Sequence, residues 1–155
     1  MLDKNIIRFF KHQHFSVVTT VDANGMPHNS CKGVVEIDDA GRVYLLDLYK
    51  KETYKNLKRN PHVSITAVDE HKFIGYSIKG NAKIVNKGEL DSGHIEAWEK
   101  RISNRITQRL LKEIRGEKGH EKQPEALMPK PAYLILVEVE SVVDLVPHHM
   151  RDDKS

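Results

Sequence analysis

The tetrapeptide "DANG", residues 22–25, lies between "FSVVTTV" and "PHNSCKGVVEI" and constrains the fold more than any other stretch. Asn-Gly readily adopts the positive backbone angles of a tight hairpin, and both flanks are rich in β-branched residues. Two antiparallel strands are therefore predicted. "DDAG" turns the second run into a third strand, "RVYLLDL". "HVSITAV" reads as a fourth strand, "DEHK" as a turn, and "FIGYSIKGNAKIV" as a fifth strand. In the fifth, Tyr76, Ile78, Ala82 and Ile84 alternate, and Gly80 predicts a bulge or a barrel bend. The very apolar "AYLILVEVESVVDLV" supplies a late closing strand.

Helical periods interrupt this series. "DKNIIRFFKHQ" groups Ile6, Ile7, Phe9 and Phe10 on one face, with Asp3 near the N-cap. A short helix is predicted from about Tyr54 to Arg59, with Thr53 as N-cap and Asn60-Pro61 as the stop. From about residue 89 to 115, Ile95, Trp98, Ile102, Ile106, Leu110 and Ile114 recur at three- and four-residue steps, and Gly116 closes the helix. Trp98 fits that apolar seam. "EKGHEKQPEALMPKP" is a polar linker, and residues 147–155 form a loose tail. The expectation is one domain over residues 1–155, mainly β with flanking helices. Five strands in meander order and a sixth that closes the sheet suggest a small antiparallel barrel.

Composition narrows the function. At 155 residues, 39% hydrophobic and 30% charged, the chain matches an ordinary soluble domain. Nothing approaches the roughly 18 consecutive apolar residues of a membrane span. The start lacks a signal-peptide layout, and the single cysteine points to a cytoplasmic, reducing location. A net charge of +3 suits anionic small ligands but falls short of a nucleic-acid footprint. The nine histidines show no metal-ligand spacing, so no metal site is expected.

The chemistry concentrates in "DLYKKETYKNLKRNP", residues 47–61. The first turn of a helix presents unpaired N–H groups and a partial positive charge, and Lys50 and Lys51 add two full charges there. Together these make a candidate phosphate site. A lysine pair before a helix also occurs in ordinary solvated loops. Along "NSCKGVVEI", alternation puts Cys31, Gly33, Val35 and Ile37 on the interior face and Ser30, Lys32, Val34 and Glu36 on the other. Lys32 and Ser30 could then meet a ligand lying across the sheet, although Lys32 could equally be a solubilising residue. Cys31 reads as a small apolar residue, because no His–Asp partnership is legible beside it.

The ordered set of "TTVDANGMPHNSCKGVVEID", "GRVYLLDLYKKETYKNLKRNPHVSI" and "GYSIKGNAKIV" resembles the flavin-binding split-barrel family that includes the pyridoxamine 5′-phosphate oxidases. The likeness covers residues 3–86 and the strand from Tyr133. It implies a six-stranded antiparallel split β-barrel forming a homodimer, with FMN in a groove at the subunit interface. Ser30, Cys31 and Lys32 would border the ring and ribityl chain, with Leu46, Asp47 and Leu48 flanking from the next strand. Lys50, Lys51 and Thr53 would bind the phosphate. Many members carry Thr at the position of Asp47 and Lys at that of Thr53. The tail lacks the Trp-x-x-Arg-Leu type segment that completes the vitamer pocket.

The resemblance thus implies an FMN-dependent oxidoreductase or flavin electron carrier, with no catalytic protein side chain as such; the outward placement of Lys32 on the second strand adds the expectation that its charge could stabilise an anionic reduced flavin. Haem, the deazaflavin F420, or a non-enzymatic flavin-binding role are the alternatives. Neither nucleic acid nor membrane is an expected partner.

Overall fold

The computed structural model describes residues 2–47, 49–86, 89, 92–93, 96, 100 and 133–151. Apart from single residues, the long helix expected over 89–115, its Trp98 seam and the following linker lie outside that set, as does Leu48. The chain runs α1 (Lys4–His12), β1 (Ser16–Val21), β2 (Pro27–Lys32), β3 (Val34–Ile37), β4 (Val43–Asp47), α2 (Glu52–Arg59), β5 (His62–Asp69), β6 (Ile74–Asn86) and β7 (Tyr133–Asp144). A 3-10 turn follows at His148–Met150.

All strand pairs are antiparallel, in one seven-stranded sheet of order β2-β1-β5-β6-β7-β4-β3. Its first and last strands are consecutive in the chain. The run expected as one strand over residues 27–37 is divided at Gly33: its first half pairs with β1, its second with β4. That division raises the expected six strands to seven and brings the two sheet edges together, which is how the barrel closes. A glycine suits the corner because it imposes no side chain there.

Turn chemistry follows the residues. Asp22 Oδ1 accepts from the amides of Asn24 (2.8 Å) and Met26 (2.9 Å), and Gly25 takes φ +80°. In the next turn Gly41 takes φ +82°, and Asp38 gathers bonds from Arg42 and Tyr44. The bulge expected at Gly80 is present as a register shift between Lys79 and Gly80. A Cβ at Gly80 would overlap the Glu138 carbonyl oxygen.

The core fills the barrel. Val18, Val34, Val43, Leu45, Ile65, Ile78, Tyr133, Ile135 and Val137 are all buried in one cluster. Helix α1 is capped by Asp3, whose side chain accepts from Asn5 N at 2.7 Å. It inserts Phe10 fully into this core, with Ile6, Ile7 and Phe9 packed beside it. Helix α2 lies against β1 and β6 and buries Thr53, Asn56 and Leu57, an i, i+3, i+4 face. Asn60 is extended and ends the helix before Pro61, as expected. Among the described residues no helix is long and apolar enough to cross a membrane.

Candidate functional site

The site forms where β2, the end of β4, the start of β7 and α2 meet. Val34 faces Leu45 across the β3–β4 pair, so continuing that register past Gly33 sets Lys32 opposite Asp47. The two form an ion pair, Nζ to Oδ2, at 2.8 Å, with side chains only 9% and 12% exposed. Asp47 is also the cross-strand partner of Tyr133, whose hydroxyl donates to the same Oδ2 at 2.5 Å. Tyr133 is fully buried. Burial first, and then the Asp47 carboxylate, push its phenol far above the ordinary value, so it remains a proton donor. Tyr54 of α2 packs edge-on against it, ring centroids 5.0 Å apart.

One step outward, Ser30 Oγ and Thr53 Oγ1 lie 3.0 Å apart. This corrects the expected role of Thr53: the helix opens two residues earlier, at Glu52, with Lys51 in the N-cap position and no side-chain cap bond. Thr53 is therefore the second helical residue, and its buried hydroxyl is spent on Ser30 instead of on the helix amides. Asn56 turns inward beside it and donates from Nδ2 to Thr20 Oγ1 at 3.0 Å.

The expected faces of the second strand are also reversed upstream of its bulge, while Ile37 is interior as expected. Val34 and Ile37 both point inward, an odd spacing made possible by a bulge between Val34 and Glu36. Counting back from Ile37 by twos therefore lands on the wrong face upstream of the bulge. Lys32 and Ser30 face the site, whereas Cys31 is exposed instead of being buried in the interior.

At the mouth, Lys50 and Lys51 are exposed. The ammonium groups of Lys50 and Lys58 each stand 5.3 Å from the Tyr54 ring centroid. Leu46, on the opposite face of β4 from Asp47, belongs to a separate buried cluster with Tyr44 and Leu134. Of the residues expected at the site, the structure thus groups Ser30, Lys32, Asp47 and Thr53, with Lys50 and Lys51 outside them. Leu46 points away, and Leu48 lies outside the described residues.

Tyr133, Tyr54 and Asn56 join the constellation without having been read from the sequence as site residues. Only Asn56 carried a signal, because it falls three residues after Thr53 on the same helix face.

Two buried side-chain atoms lack a hydrogen-bond partner among the described residues: Ser16 Oγ and Asn56 Oδ1. Ser16 is the cross-strand neighbour of Lys32. Buried hydroxyls are ordinarily satisfied, so this one leaves a polar position open to a ligand group or water.

A family model described as pyridoxamine 5′-phosphate oxidase matches residues 2–137. The chain belongs to the pyridoxamine 5′-phosphate oxidase-like family. Among solved structures, HupZ of Group A Streptococcus is 20% identical, with TM-score 0.65 over 94% of this chain and 95% of that one. Rv2991 of Mycobacterium tuberculosis is 20% identical, with TM-score 0.63 over 97% and 88%. An F420 reductase is 14% identical, with TM-score 0.54 over 92% and 98%. These likenesses carry the fold. No curated protein matches the chain. Membership in the pyridoxamine 5′-phosphate oxidase-like family accounts for the barrel.

Proposed function

We propose that this chain is an FMN-binding flavoprotein, an oxidoreductase or electron carrier that works as a homodimer with the cofactor groove at the subunit interface. The observation that carries this reading is the anion-binding mouth of α2. Lys50 and Lys51 lead into an eight-residue helix, and the Ser30 and Thr53 hydroxyls meet 3.0 Å apart just inside. That donor set suits a phosphate dianion. Family membership supplies the reason to place a flavin nucleotide on it.

The residues fit the group. Lys50, Lys51, Ser30 and Thr53 would hold the phosphate, and the open Ser16 hydroxyl beside Lys32 offers a polar contact farther in. FMN, when bound, supplies the electron-transfer chemistry; the protein binds and orients it and tunes its surroundings. Cys31, whose side chain is exposed on the other face of the strand from Ser30 and Lys32, would border the ring only through its backbone.

The test is the absorbance spectrum of purified protein mixed with FMN, followed by sedimentation of the coloured species. A flavin spectrum on a particle of twice the chain mass is expected. A Soret band would replace FMN by haem, and a deazaflavin spectrum would point to F420. No chromophore with FMN in excess would leave a non-enzymatic module.

A further inference from the structure

We propose that Asp47 is a specificity-determining residue that cancels the charge of Lys32 and so confines anion recognition to the mouth of α2. The inference deepens the phosphate-binding reading above and rests on it. A lysine ammonium that is mostly buried and unpaired would be a strong receptor for any anion. Here Lys32, its side chain 9% exposed, lies 2.8 Å from Asp47, so the pair presents no net charge to the site.

Tyr133 keeps the pair in this arrangement. Its hydroxyl donates to the same carboxylate oxygen that Lys32 meets, which fixes that oxygen in place between the two. The Tyr54 ring, 5.0 Å away, fixes the Tyr133 ring from the helix side. Asp47 is thus held from a strand on each side, by Lys32 at the end of β2 and by Tyr133 at the start of β7.

The mouth has the opposite character. Lys50, Lys51, Lys55, Lys58 and Arg59 are exposed on and beside α2, with Glu52 as the only acid in the helix. A ligand selected by this arrangement carries its negative charge at one end and a neutral body at the other. Lys32 then supplies position and a hydrogen-bond donor, not net charge, to whatever lies at the inner end. Asp47 acts through Lys32, so it is a positioning residue.

Inorganic phosphate is the probe, titrated calorimetrically into the full chain as wild type, Asp47→Asn and Lys32→Met/Asp47→Asn. Asp47→Asn leaves the ammonium uncompensated and is expected to bind phosphate roughly tenfold tighter, the order a unit charge contributes at ~10 Å through an effective dielectric of ~20. The double variant, neutral again at that position, is expected to bind as wild type does. An unchanged affinity in Asp47→Asn overturns the proposal. So does a double variant clearly weaker than wild type, because Lys32 would then already serve as an anion receptor.

If wild type does not bind phosphate, the reading of the α2 mouth fails. A gain in Asp47→Asn that the double variant loses still upholds the cancellation, and no binding by any of the three rejects it. Should Asp47→Asn fail to fold while the double variant folds, the double variant decides: phosphate affinity equal to wild type upholds the cancellation, and clearly weaker affinity overturns it. Failure of both to fold would assign the pair a purely structural role and reject the proposal.

Discussion

Asp38 pins the turn between β3 and β4. It accepts from Arg42 N at 3.0 Å, Arg42 Nε at 2.7 Å and the Tyr44 hydroxyl at 2.9 Å. Burial alone would raise its pKa, but the bonds from Arg42 and Tyr44 outweigh that and hold it below the ordinary 3.8. The sign follows: the folded state binds this proton less readily than the unfolded one. Its stabilisation is complete above about pH 3.8 and is lost as pH falls through the lower folded value. Asp38→Asn should lower stability by about 1–2 kcal/mol near neutrality, discounted for the exposed guanidinium. The difference between variant and wild type should shrink under acid in urea-unfolding curves; a constant difference from neutral pH down to pH 2 would contradict this role.

At the same scale, the site was partly legible. Ser30 and Lys32 could be named because a hydroxyl and a charge share one face of a strand, and Thr53 because it stands at a helix entry, whereas Asp47 came from the resemblance alone. Their pairing was not legible. The Lys32–Asp47 contact requires knowing that one strand changes partners at Gly33, and Tyr133, 86 residues from Asp47, opens a run that reads as a very apolar strand.

The elements were read mainly through their turns. Asn24-Gly25, Asp38 to Gly41, Asn60-Pro61 and Asp69 to Lys72 all stop or reverse the chain where their local chemistry predicts, since those signals need no tertiary context. The second strand failed for the opposite reason. A bulge between Val34 and Glu36 changes which face each side chain takes, and alternation carries no mark of it. Helix α2 begins two residues earlier than expected, because Thr53 has a tertiary partner that competes with capping.

Gly80 was the readable bulge. Its place opposite Val139, against the Glu138 carbonyl, leaves no room for a methyl group. Gly80→Ala should cost about 2–3 kcal/mol because backbone, not a flexible side chain, must move. Denaturant unfolding measures this, and a change within ±0.5 kcal/mol would show that the β6–β7 pair absorbs the methyl group freely.

At the scale of the whole molecule, the barrel is a sheet whose two edges are successive pieces of one chain segment. Closure at Gly33 and insertion of β7 between β6 and β4 bring residues from positions 30, 47, 53 and 133 into one corner. Strand order of this kind comes from long-range pairing, which local patterns do not encode. The ordered resemblance carried it where periodicity could not, and the match over residues 2–137 agrees with it.

The central claim, that the mouth of α2 receives a phosphate, is tested most directly by comparing the affinities of FMN and riboflavin, which differ only by that group. The measurement is fluorescence titration of both flavins into wild type and Lys50→Ala/Lys51→Ala. Wild type should favour FMN by at least about 100-fold, and the double variant should lose roughly tenfold or more of that preference while binding riboflavin unchanged, as expected for charge-assisted bonds. Equal affinity of wild type for FMN and riboflavin would contradict the account.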